Sequence, residues 1–143
     1  MAAADAIATE LEAFYRRYIE AFNRQETVGF VDYFTHPYAV ISGERGVTSV
    51  ADEQSHRKSF ERSMVTLRGR GWVRSGIDSI KAWSLADNLG MIVSDVTRYK
   101  ADDSVLEKVR ACYFLCRADA SWKIATITEI RPPHRGPGDV PYP

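Results

Sequence analysis

The sequence predicts a small α+β domain in which three N-terminal helices precede a four-stranded antiparallel meander. Apolar residues recur at helical spacing through the first half of the chain, and long β-type runs separated by turn chemistry fill the second. The 143 residues are 45% hydrophobic and 27% charged, which is a globular composition with room for one core and not comfortably for two.

Each element follows from its own pattern. Ile7, Leu11, Phe14, Tyr15, Tyr18, Ile19 and Phe22 form one helical stripe, while Glu10, Glu12, Arg16, Arg17 and Glu20 take the other side, so a long amphipathic helix is expected from Ala4 to Arg24. A shorter helix fits Glu26–Phe34, with Val28, Phe30, Val31 and Phe34 as apolar positions, and Pro37 disfavours helix at His36. Tyr38–Ile41 reads as a short strand, followed by a turn at Gly43 and Gly46. Ser49 to Asp52 has capping-box spacing, and His56, Phe60, Met64 and Leu67 line a third helix that Gly69 and Gly71 stop.

The strands are expected at Trp72–Leu85, Leu89–Lys100, Val105–Arg117 and Trp122–Arg131, joined by hairpins at 86–88, 101–104 and 118–121. Their length implies a strongly curved, twisted sheet, with Gly76 and Gly90 as bend points. After Arg131 the chain turns rich in proline and glycine. Residues 1–131 are therefore read as the domain, and 132–143 as a tail that is disordered or lies extended over a neighbouring surface.

Charge and motif content narrow the function classes. Nineteen basic and nineteen acidic residues cancel, so no summed field draws the protein to nucleic acid or an anionic membrane. No apolar run approaches a membrane span and the N-terminus has no basic-then-apolar leader, so a cytoplasmic protein is expected. Cys112 and Cys116 lie about 13 Å apart along one strand, too far to bond, and are read as small core residues. His36, His56 and His134 are scattered, so no metal site is expected. The chain carries no GxGxxG, P-loop, GxSxG or HExxH motif, so any chemistry is expected to need no cofactor.

The element order, together with Phe14-Tyr15 and Ala21-Phe22 on the first helix, the passage Phe34-Thr35-His36-Pro37-Tyr38, and the closing Ala120-Ser121-Trp122-Lys123-Ile124, resembles the nuclear transport factor 2-like (NTF2-like, cone-shaped) superfamily. That superfamily includes ketosteroid isomerases, SnoaL-like polyketide cyclases, scytalone dehydratase and limonene epoxide hydrolase. The resemblance covers residues 4–131 and implies a curved antiparallel sheet wrapping helices around a deep, mostly apolar pocket. In some members the pocket is an active site and in others a ligand or partner site, so fold does not decide function.

Residue by residue, the isomerase pattern is incomplete: the first strand, Tyr38 to Gly43, contains no carboxylate to act as base. Asp95 interrupts the apolar run Met91–Val96, where burial in a pocket would raise its pKa and suit it to acid–base work, unless it is exposed or ion-paired. Which face of the strand lines the pocket stays open. Glu129 interrupts a second run and is a possible partner for Asp95. His56, on an apolar stripe, either faces the pocket and titrates near neutrality or is a hydrogen-bonded core histidine.

Tyr15, Tyr18, Tyr38, Phe60, Met64 and Tyr113 complete the candidate pocket, either as ligand contacts or as core. The expected function is binding of a small, largely apolar organic molecule. The alternatives are a cofactor-independent isomerase, cyclase or dehydratase using Asp95, Glu129 and His56, or a dimeric partner-binding module. A homodimer through the outer sheet face is expected, because Val109–Cys116 is apolar on both alternating faces.

Overall fold

In the computed structural model, which describes residues 2–136, three helices pack on one face of a six-stranded curved sheet. The first helix, α1, spans Ala2–Arg24 and buries the predicted stripe, with Leu11 and Tyr15 almost wholly enclosed. Its polar residues tie it to the sheet: the Asn23 side chain donates to Ser75 O and accepts from Ser75 N, at 2.9 and 2.8 Å. Gly90 is where helix and sheet approach most closely. A Cβ there would lie 2.5 Å from Leu11 Cδ1, so only glycine leaves room for the leucine.

The second helix, α2, is shorter than expected, Thr27–Val31, and Phe34 belongs instead to a strand, β1, running Phe34–Ser42. Sheet pairing overrides the helical spacing there, because Phe34 sits beside Ile124 of the last strand. A further strand, β2 at Gly46–Val50, occupies what the sequence suggested was turn and helix cap. The third helix, α3, spans Glu53–Gly69 and is capped by Asp52, whose carboxylate accepts from Ser55 N at 2.7 Å, and not by Ser49, which lies in β2. Gly71, with φ at +99°, turns the chain out of α3 in a conformation that suits glycine.

The meander forms as expected: β3 at Trp72–Ala86, β4 at Leu89–Lys100, β5 at Val105–Ala118 and β6 at Ser121–Ile130. Register shifts fall just past Gly76, between Ile77 and Ser79, and opposite Gly90, between Ser84 and Ala86. The sheet order is β2-β1-β6-β5-β4-β3, antiparallel except where β1 runs parallel to β6. The last hairpin is clamped to α1 by Glu10, which accepts from Trp122 Nε1 at 3.1 Å and from Arg117 Nη1 at 2.9 Å.

The expectation of two core cysteines does not hold. Cys112 and Cys116 alternate with buried Ala111, Tyr113 and Leu115, which places them on the outer face, one half-buried and one exposed. Residues Pro132–Gly136 turn back toward that outer face, where Arg110 Nη1 donates to Arg135 O at 2.7 Å. The rest of the tail lies outside the described residues.

Candidate functional site

The helix-covered face holds an open cavity of about 740 Å³. Its aromatic wall comes from four elements: Tyr18 and Phe22 of α1, Phe30 of α2, Phe34 and Tyr38 of β1, and His56 and Phe60 of α3. Phe30 and Phe60 stack with ring centroids 4.0 Å apart, and the His56 ring lies 4.6 Å from both Phe34 and Tyr38. Met64 and Leu67 continue the wall along α3, while Arg98 and Ile127 close it from the sheet.

His56 faces this cavity but not as a group that titrates near neutrality. It is 2% exposed, and burial, reinforced by nearby His36, lowers its pKa to about 4. His36 Nε2 and His56 Nδ1 lie 2.9 Å apart, so one imidazole donates to the other and His56 is neutral at pH 7. His36 was not singled out in the sequence, because its partner is twenty residues away on another element.

Deeper between α1 and the sheet is a second space of about 50 Å³, lined by Tyr15, Tyr18, Ser94, Arg98 and Tyr113 among others. Ser94 Oγ donates to Tyr15 OH at 2.6 Å, and Tyr15 OH lies 3.2 Å from Tyr113 OH. Burial pushes the pKa of Tyr15, Tyr18 and Tyr113 up, so all three stay protonated as donors. Tyr18, Phe22 and Arg98 line both spaces.

The carboxylates do not join this site. Asp95 takes the opposite face of β4 from Ser94, where Arg110 Nε and Nη2 bond it at 2.7 and 2.9 Å and Ser79 Oγ donates at 2.7 Å. Its pKa is therefore lowered, chiefly by the Arg110 hydrogen bonds, and the expected rise does not occur. Glu129 is exposed and 3.9 Å from Arg131. Both acids border a groove beside Pro132–Arg135, but the register puts Glu129 level with Ala111, on the face opposite to Asp95, and its neighbour Arg131 lies nearer Glu44, at 3.5 Å.

A family model described as NTF2-like protein (DUF6841) matches residues 9–132. The chain belongs to this NTF2-like family. Among solved structures it resembles an NTF2-like protein of unknown function from Pseudomonas putida KT2440, with TM-score 0.70 and 11% identity over 88% of this chain and 87% of that one. It also resembles a cystatin-like domain of unknown function from Nostoc punctiforme, with TM-score 0.62 and 18% identity over 85% and 74% of the two chains. A third is the yeast UBP3-associated protein BRE5, with TM-score 0.65 and 13% identity over 83% and 91%. At these identities the likeness shows the NTF2-like fold alone. No curated protein matched the sequence.

Within this NTF2-like frame the sequence located Tyr18, Tyr38, His56, Phe60 and Met64 on the large cavity and Tyr15, Tyr18 and Tyr113 on the inner space. It missed the basic lining, Arg45, Arg62, Arg70 and Arg98, although the large cavity has no carboxylate among its described lining residues. Arg70 and Arg98 converge on Glu107, with N–O distances of 2.9 and 2.6 Å, and these contacts lower the Glu107 pKa, the Arg70 hydrogen bond most. Single arginines spread over a turn, a helix and a strand leave no sequence motif. Among the described residues no cluster of three or more His, Cys, Asp or Glu can hold a metal ion, and no helix is long and apolar enough to cross a membrane.

Proposed function

We propose that this NTF2-like domain binds a small, largely apolar organic molecule in the aromatic cavity between α3 and the sheet. The observation that carries the reading is a space of about 740 Å³ walled by rings from four separate elements, within the size range of small-molecule sites. A titration with the apolar fluorophore N-phenylnaphthylamine tests it. Ser63 is an exposed helix position on the cavity's rim, so Ser63→Trp obstructs entry without disturbing the core. Binding should weaken by about tenfold or more in the variant; equal binding by wild type and variant would sink the reading.

A cofactor-independent isomerase, cyclase or dehydratase is a second reading, supported by Tyr18 and His56 lying in one cavity. In it the neutral His56 accepts a proton and Tyr18 donates a hydrogen bond to a developing oxyanion, with Asp95 on the far side playing no direct part. A homodimer through the outer face is supported by Phe114, 39% exposed beside Cys112 and Cys116. Sedimentation showing only a monomer at micromolar concentration would count against it. A cytoplasmic location fits these readings.

A further inference from the structure

The cavity's charge says more about its occupant than its size does. In a protein whose charges cancel, the cavity is lined by four arginines and no carboxylate among the described residues, whereas the outer groove carries Asp78 and Asp95. Arg45, from the β1–β2 turn, and Arg62, on α3, have no ion-pair partner among the described residues and stand exposed at the rim. Arg98 reaches deeper and gives only Nη1 to Glu107, leaving its remaining N–H groups for another acceptor. Facing these cations are Phe30, Phe34 and Phe60, packed against one another so that their ring edges form the apolar end of the cavity.

An aromatic wall at one end and guanidinium groups at the other, Arg45 and Arg62 without an ion-pair partner among the described residues and Arg98 shared with Glu107, complement a molecule that is itself divided in the same way. We propose that the cavity selects a ring-bearing organic anion, its planar body against Phe30, Phe34 and Phe60 and its carboxylate, sulfonate or phosphate toward Arg98, Arg45 and Arg62. This rests on the pocket reading above and adds the class of ligand. Guanidinium is suited to the task because its fork of donors meets an oxyanion in two places and is always charged.

Two probes that share a body and differ in charge separate the inference from the reading beneath it. Anilinonaphthalene sulfonate and neutral N-phenylnaphthylamine are titrated into the full chain, its Ser63→Trp variant, the double variant Arg45→Gln/Arg62→Gln, and Arg98→Gln, each checked for folding by circular dichroism. Wild type should bind the sulfonate about tenfold tighter than the neutral twin, with affinity falling as salt is raised. The double variant and Arg98→Gln should each weaken the sulfonate by about three- to tenfold and leave the neutral probe unchanged. Equal affinity for the two probes, or a preference for the anion that survives both arginine variants, overturns the anion inference while the pocket reading stands. Failure of both probes to bind wild type, or indifference of both to Ser63→Trp, overturns the pocket reading and the inference with it.

Discussion

Ser94 and Asp95 are consecutive residues of β4, yet one belongs to a buried tyrosine network and the other to a partly exposed ion pair on the opposite side of the sheet. On the helix-covered face, hydroxyls meet hydroxyls: Ser94, Tyr15 and Tyr113 satisfy one another without a formal charge. On the outer face, charge meets charge in Asp95 with Arg110, while on the inner face the acid Glu107 is held by Arg98 and Arg70. A buried carboxylate with no cation would pay heavy desolvation, so an acid on the inner face needs a dedicated partner, while the outer face supplies arginine and water. Asp95, the carboxylate that looked most catalytic in the sequence, is therefore turned away from the cavity.

The largest expected contrast between the faces is in packing. Trp122 is 7% exposed and bonded to Glu10, whereas Phe114 is 39% exposed. Trp122→Ala should cost about 3–5 kcal/mol in chemical denaturation. Phe114→Ala, measured at submicromolar concentration where association across the outer face contributes least, should cost under about 1 kcal/mol. A comparable loss in both would erase the distinction.

The next effect is electrostatic and belongs to the inner face. His56 has a folded pKa of about 4 against an ordinary value of 6.5, so the unfolded chain binds its proton first. The stability from keeping His56 neutral is complete above about pH 6.5, declines as pH falls toward 4, and levels off below it. The loss should reach at most about 3 kcal/mol. His56→Gln should flatten the slope in that window; a wild-type midpoint constant from pH 7 to pH 4.5 would show that the imidazole is not held neutral.

Asp95 has a pH signature of the same sign in a lower window. Its folded pKa is lowered from 3.8, so its contribution is present at neutral pH and is lost as pH falls below that value. Asp95→Asn leaves Arg110 with a weaker acceptor and should cost about 1 kcal/mol at pH 7, since both partners are partly exposed. Probe affinity in the cavity should not change. A variant of unaltered stability that loses ligand binding would return Asp95 to the site.

These differences also explain how far the sequence could be read. The helix-covered stripe of α1 and α3 was legible because its period repeats over many residues, and the four long strands because β-type runs are set off by turn chemistry. Gly46–Val50 was not, since five largely exposed residues at a sheet edge carry almost no alternation. The faces of β4 were hidden for a different reason: this interior strand buries Met91, Val93 and Thr97 on one side and Ile92, Ser94 and Val96 on the other, so no period-two signal survives. The His36–His56 pair and the arginine lining are long-range products of the fold that no local pattern records.

The smallest expected effect tests where the domain ends. Residues 132–143 are proposed as an appended tail, yet Arg135 O accepts from Arg110, and a Cβ on Gly136 would meet Ile130 Cδ1 at 2.6 Å, so the tail's first residues touch the outer face. None of Pro132–Gly136 is buried, and the Asp95–Arg110 pair keeps two hydrogen bonds without them. Deleting residues 132–143 should therefore change stability by less than about 1 kcal/mol, with Arg110 turning to water in place of the lost carbonyl. Because Pro132–Gly136 and the cavity lie on opposite faces, the truncated protein should also bind both naphthyl probes as the full chain does. A soluble truncation with unchanged melting temperature and probe affinities supports a boundary near Arg131; an insoluble one, or a loss of several kcal/mol, would show that the outer face depends on its tail as the inner face depends on its helices.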